Sequence, residues 1–231
     1  MNLTDHLDEP AGHRRFPRWS GDAPRMLRVC LVSRAPHLGL GERALIQLAV
    51  GLRDMGHQVL FVMAKKGEVF QQCEQIGFRC LHLPAQLSDL GRPWRKAAIR
   101  TTVRNLLKRE RPDVIHASDA PSAVIAFEAA RGLAMTRVCH HRFTGSESIV
   151  NRVIAGGVEL HLYNSAATLD ALSLRHPVLA SAPGAVAEEP AIDEALNPLA
   201  GCSTLPIKAY AASIARHYHF AATARLLRRA A

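Results

Sequence analysis

Three groups of residues in this chain have types and spacings that could do chemistry. Gly39, Leu40 and Gly41 sit in the turn PHLGLGER, between the apolar run RVCLVSR and a helical pattern. A strand that delivers the chain to a glycine-containing turn at a helix start turns backbone N–H groups toward a phosphate. His116, Ser118 and Asp119 close the run DVIHASD, at the carboxyl end of a strand, the edge where open α/β sheets place ligands. His140, His141 and Arg142 close the run RVCHHRF, where Arg142 offers a fixed cation to an anionic acceptor. Each has a plainer reading beside it. Turn geometry explains the glycines equally well, Asp119 suits a helix cap better than a ligand, and Arg142 suits a solvated surface. Glu42 fits the positive end of the helix dipole.

Other chemistries lack their residues. Ser33, Ser118, Ser146 and Ser165 all stand outside a Gly-x-Ser-x-Gly elbow. Position 44 is Ala, so the Gly39 turn misses the full dinucleotide spacing, and no Walker A sequence is present. The histidines of HRR, HH and HYH form no converging ligand set, and the five cysteines form no CxxC or Cys/His zinc spacing. No metal or other cofactor is expected.

These groups need elements to position them. Short apolar runs (RVCLVSR, QVLFVMA, FRCLHLP, DVIHASD, RVCHHRF, VELHLYNS) alternate with amphipathic segments. Near-continuous apolar strands between helices imply a parallel sheet covered on both faces, a doubly wound α/β fold. The first helix, Glu42 to Met55, places Leu45, Leu48, Ala49 and Leu52 on one face and stops at Gly56. Helices are expected from Glu68 to Ile76 and from about Pro93 to Glu110, with Asp119 or Ser118 capping the next. PVLASAPGAV reads as a last strand and turn, and Ile207 to Arg229 as a closing helix.

The helix after Pro93 carries Arg95, Lys96, Arg100, Arg104 and Lys108 beside an apolar stripe of Ile99, Val103, Leu106 and Leu107. Such a helix can pack its apolar face on the sheet and present cations to an anionic lipid surface. A solvated amphipathic helix explains it as well. With 29 Lys and Arg against 20 Asp and Glu, the net charge of +9 attracts anions. A 5% aromatic content supplies few stacking platforms, so nucleic acid ranks low. The odd cysteine count points to a reducing compartment, the cytoplasm, and no apolar run is long enough to span a membrane.

The order of these pieces is similar to a known pattern. Gly-x-Gly-Glu-Arg at Gly39 to Arg43, the helix ending GLRDMGHQVLFV, RPDVIHASD, RVCHHRF and LYNSAATLDAL together resemble the N-terminal, acceptor-side domain of family-4-type glycosyltransferases of the GT-B fold. The resemblance implies a single Rossmann-like domain over 26–186, preceded by a flexible leader (1–25) and followed by an irregular linker (187–206) and a C-terminal helix (207–231). It implies transfer of a sugar from a nucleotide-sugar donor to a hydroxyl acceptor. His141 corresponds to a cleft-facing histidine that would orient the reacting hydroxyl, with His140 the alternative if the register differs by one. Gly39, Leu40 and Gly41 would hold a phosphate, and Asp119, His140 and Arg142 would face the acceptor. It further implies a cytoplasmic protein docked at the inner face of an anionic membrane.

Two departures stand out. Leu40 separates glycines that the family usually keeps adjacent, and a leucine restricts positive φ and crowds the backbone. No glutamate has another eight residues later, so the Glu-x7-Glu pair of the family's donor domain has no counterpart. The stretch after the last expected strand is shorter than a domain of ~100 residues. A separate donor-domain chain is therefore the expected partner. The competing expectation is a non-catalytic binding or regulatory module, or a truncated relic.

Overall fold

The computed structural model describes residues 25–83, 93–143, 146–189 and 205–230. The expected leader and most of the expected linker lie outside the described residues. Seven strands form one sheet: β1 (Arg28–Ser33), β2 (Gln58–Met63), β3 (Arg79–His82), β4 (Val114–Ala117), β5 (Thr136–His141), β6 (Leu160–Tyr163) and β7 (Gly184–Val186). Their order is β3-β2-β1-β4-β5-β6-β7 and every pairing is parallel. The strand order reverses between β1 and β4, where an open α/β sheet forms its crevice. This is the doubly wound Rossmann-like sheet expected from the sequence.

Alternate strand residues feed two cores. Val29, Leu31, Phe61, Met63, Val138 and Leu160 pack with α1 (Leu40–Asp54), α2 (Glu68–Gln75) and α8 (Leu205–Ala230) on one face. Cys30, Val62, Ile115 and Cys139 pack with α3 (Pro93–Glu110), α4 (Ala120–Ala130) and α5 (Glu147–Ala155) on the other. A smaller cluster joins Val150 and Tyr163 to α6 (Ala166–Arg175) and α7 (Pro177–Ser181).

Two expectations are corrected. Residues 177–181 form α7 rather than part of a strand, because Pro177 stands at a helix first turn, where its fixed φ is favourable and its missing N–H costs nothing. The first helix begins at Leu40 rather than Glu42, with Gly39 as its extended N-cap. No positive φ is therefore asked of Leu40, and its side chain points into solvent at 66% exposure.

Packing also fixes α8. A Cβ on Gly51 would come within 2.5 Å of the Ala211 Cβ, so α1 and α8 approach as closely as they do because position 51 has no side chain. That contact brings Tyr210 and Tyr218 of α8 over the sheet, both buried.

Candidate functional site at the carboxyl edge of the sheet

The site starts with the loop after β1. Pro36 lies over Gly67, where an added Cβ would meet the Pro36 carbonyl oxygen, and the Pro36 oxygen accepts from the Val69 N–H at 3.4 Å. Leu38 N–H donates to the Glu68 carboxylate at 3.1 Å. The start of α2 thus braces the loop that delivers Gly39 to α1. The first intrahelical bond of α1 runs from Arg43 N–H to the Gly39 oxygen at 3.0 Å, so the amides of Leu40, Gly41 and Glu42 lie ahead of the helical ladder.

Arg142 crosses this helix start. A Cβ on Gly41 would stand 2.9 Å from the Arg142 Cδ, so the glycine leaves room for the arginine stem. The Arg142 side chain is only 5% exposed. Its Nη1 donates to the Ser118 carbonyl oxygen and its Nε to the Glu189 carboxylate at 2.6 Å. Its Nη2 makes no well-formed hydrogen bond among the described residues, with the Tyr210 hydroxyl standing beside the guanidinium. The sequence brings these groups together by topology: Ser118 ends β4, Arg142 ends β5, Gly41 opens α1, and Glu189 follows β7.

His116 and His140 extend the cluster inward. The His116 Nδ1 shares a hydrogen bond with the Tyr218 hydroxyl, and the His116 and His140 rings are 5.5 Å apart. His140 Nε2 lies 3.7 Å from Glu189. Burial first, and then the Arg142 charge, pull the His116 pKa down to about 3 and drive the His140 pKa well below its ordinary value. Burial pushes the Glu189 acid upward against the opposing pull of Arg142. Among the described residues, His116 Nε2, both His140 ring nitrogens and the Ser118 Oγ have no hydrogen-bond partner. Buried polar atoms are normally satisfied, so such a concentration marks a place where polar ligands or water are met.

His141 faces the other side of the sheet, as one step along a strand requires. It stacks against His161 and Tyr163, and its Nε2 lies 2.9 Å from His161 Nδ1. Burial, then His161 and His176, bring its pKa to about 3, so it is neutral near pH 7. Its Nδ1 has no hydrogen-bond partner among the described residues. His140 and His141 are 0% and 1% exposed, so neither is open to solvent as a cleft-facing or strand-end histidine would be. The strand burial that makes the edge apolar encloses them.

Asp119 caps α4. Its Oδ1 accepts from Ser122 N–H at 2.7 Å, and its Oδ2 lies 3.3 Å from Arg34 Nε. Both oxygens are committed to the protein. The cationic helix α3 divides likewise. Lys96 pairs with Glu128 at 3.0 Å, and Arg104 Nη1 donates to the carbonyl oxygens of Ala129 and Arg131, at the end of α4. Arg95, Arg100 and Lys108 are exposed, with Arg95 against Trp94.

Glu189, and Tyr210 whose hydroxyl stands beside the Arg142 guanidinium, escaped the sequence reading. Glu189 falls in the stretch assigned to a linker and Tyr210 in a helix assigned only a closing role. A hollow of about 390 Å³ lies at the opposite, amino edge, lined by Arg25, Arg28, Gln58, Arg111 and Asp113. Strand ends of that polarity are not where open sheets bind ligands, and Arg25 is already paired with Asp113 at 3.0 Å.

Comparison with known proteins bears on the fold that carries these residues. Residues 41–153 match the family model Glycosyltransferase Family 4. No curated protein sequence matches the chain. Among solved structures, Anabaena HepE in complex with UDP-glucose is similar with a TM-score of 0.53 and 19% identity, over 71% of this chain and 44% of that one. A glycosyltransferase from Rickettsia africae gives a TM-score of 0.55 at 15% identity, over 71% and 43%. The lipopolysaccharide outer core galactosyltransferase WaaB in its apo form gives 0.56 at 14% identity, over 70% and 45%. The chain spans under half the length of each, and at these identities the likeness is one of fold. Family match and fold point the same way: residues 41–153 are similar to Glycosyltransferase Family 4, on a Rossmann-like sheet of the kind seen in one lobe of GT-B glycosyltransferases.

Proposed function

We propose that the chain is the acceptor-side lobe of a glycosyltransferase that moves a sugar from a nucleotide-sugar donor to a hydroxyl acceptor. A donor-binding domain on a partner chain completes the site. The observation that carries this reading is the buried Arg142 laid across the first turn of α1. Arg142 and the Gly41 that its stem crosses both fall between residues 41 and 153. A helix start and a buried guanidinium whose Nη2 makes no well-formed hydrogen bond among the described residues together suit a phosphate-bearing ligand. UDP-glucose is bound by the similarly folded HepE, which supports a nucleotide sugar as the donor.

In this reading the Gly39, Leu40 and Gly41 backbone and Arg142 hold the anion, and His140 lines its inner wall. His141, enclosed on the other face of the sheet, acts through the packing of the β5 end rather than by touching ligand. Asp119 acts through the α4 cap rather than by touching ligand. Charge stabilisation comes from amides and a guanidinium, so the reading requires no metal or cofactor. The protein works on the cytoplasmic side, docked to an anionic membrane by Arg95, Arg100 and Lys108.

Calorimetric titration with a panel of nucleotide sugars, alone and beside a candidate donor-domain chain, tests this. The expected result is saturable binding of at least one nucleotide sugar, weakened roughly tenfold or more by Arg142→Met. Negligible binding in both settings removes the reading.

A further inference from the structure

Arg142 already holds an anion, and that anion belongs to the chain itself. Glu189 gives the guanidinium one hydrogen bond, from Nε to Oε1 at 2.6 Å. Compare the pair Arg137 and Glu159, also largely buried. Glu159 accepts from the Arg137 backbone N–H at 2.8 Å, from Nε at 3.0 Å and from Nη2 at 2.7 Å, a fork that fixes both partners. Glu189 is held far less completely. Its acid is pushed up by burial despite the adjacent guanidinium, and Glu42 adds like-charge repulsion, so its environment disfavours a carboxylate there.

The guanidinium, by contrast, is clamped. Its stem lies against Gly41 and its Nη1 is bonded to the Ser118 carbonyl, neither of which depends on Glu189. The backbone leading to Glu189 is tied to the sheet as far as Ala187, whose N–H donates to the Tyr163 oxygen at 2.8 Å. Two residues further on, the Glu189 carboxylate reaches back over the edge, 17% exposed. Arg142 is therefore a fixed cation with a replaceable counter-ion.

We propose that Glu189 is a displaceable occupant of the anion subsite at Arg142, and that a phosphate-type ligand binds by taking its place on the guanidinium. The incoming anion gains the Nε donor that Glu189 gives up and the Nη2 beside it, which makes no well-formed hydrogen bond among the described residues, while the released carboxylate regains water. Glu189 thereby sets a threshold. A ligand with a single weak acceptor leaves the pair intact, and one with two charged oxygens replaces it. This proposal shares with the glycosyltransferase reading only the premise that an anion meets Arg142.

Inorganic pyrophosphate is the probe, titrated calorimetrically at fixed ionic strength and near-neutral pH into wild type, Glu189→Gln and the double variant Glu189→Gln with Arg142→Met. Glu189→Gln is expected to bind roughly tenfold or more tightly than wild type, and the double variant to lose that gain. On wild type, amide hydrogen exchange over residues 184–189 is expected to speed up when pyrophosphate binds, a readout that needs no variant. Equal or weaker binding by folded Glu189→Gln, or exchange over 184–189 that slows or stays constant at saturation, overturns the displacement. If nucleotide sugars still bind in that case, only the displacement has failed. A gain for pyrophosphate in Glu189→Gln with no nucleotide-sugar binding at all leaves it standing and sinks the glycosyltransferase reading.

Discussion

A guanidinium that is almost fully buried needs acceptors around it, and Arg142 finds them in the Ser118 carbonyl and Glu189. Because Arg142 takes its place from a strand end and a glycine, its neighbours can be told apart by what they do. Asp119 is the clearest case, since both of its oxygens serve the protein. Asp119→Ala is expected to cost about 1 kcal/mol of stability by removing the α4 cap, the exposed Arg34 pair adding little. Asp119→Asn keeps a good cap and should unfold within a few tenths of a kcal/mol of wild type. Denaturant melts of the two variants check this. Equal losses in both would mean that the charge, not the cap, is what matters. The aspartate's position at a strand end followed by a helical pattern made the cap legible in advance. Arg142 in a buried pair was not legible, because its partner lies 47 positions away along the chain.

Among the helices, α3 shows how packing redistributes a charge pattern. Its apolar stripe behaves as the periodicity requires, with Val103 and Leu107 buried and Ile99 and Leu106 packed against the same core. Its cations do not act as one face. Lys96 and Arg104 are drawn to α4, where Arg104 meets the carbonyl end of that helix and its partial negative charge. In the proposed docking the exposed Arg100 and Lys108 meet the membrane, each worth about 1 kcal/mol near an anionic surface. Co-sedimentation with phosphatidylserine-rich vesicles should therefore fall more than about tenfold for the double variant Arg100→Glu with Lys108→Glu. Lys96→Gln should leave it nearly unchanged. No dependence on vesicle charge would dismiss membrane docking by this helix. Helix α8 makes the complementary point: its existence is written in its sequence, but its seat against α1 depends on Gly51 and Ala211 meeting across the fold.

For the molecule as a whole, the buried histidines set the response to acid. His116 and His141 are drawn to about 3, His161 to about 4, and His140 well below its ordinary value, in each case chiefly by burial. His57, His217 and His219 shift in the same direction. The folded state keeps these rings neutral while the unfolded chain protonates them below about pH 6.5, so the unfolded state binds more protons there. Stability is thus fully present above that pH and falls as pH drops through the window from about 6.5 toward 4. Urea midpoints between pH 7.5 and pH 5 should decline with a slope of more than one proton, and a flat profile would contradict the burial of these rings. Taken alone, the sequence determined the parallel doubly wound sheet, the helix that opens at the Gly39 turn, the apolar stripes and the Asp119 cap. Each of these is fixed by periodicity or by neighbours a few residues apart. Tertiary structure alone decided that His140 and His141 are sealed on opposite faces, that Pro177 starts a helix, and that Arg142 lies on Gly41 with Glu189 across it. Those outcomes depend on register across strands and on the close approach of segments distant in sequence, which no local pattern carries.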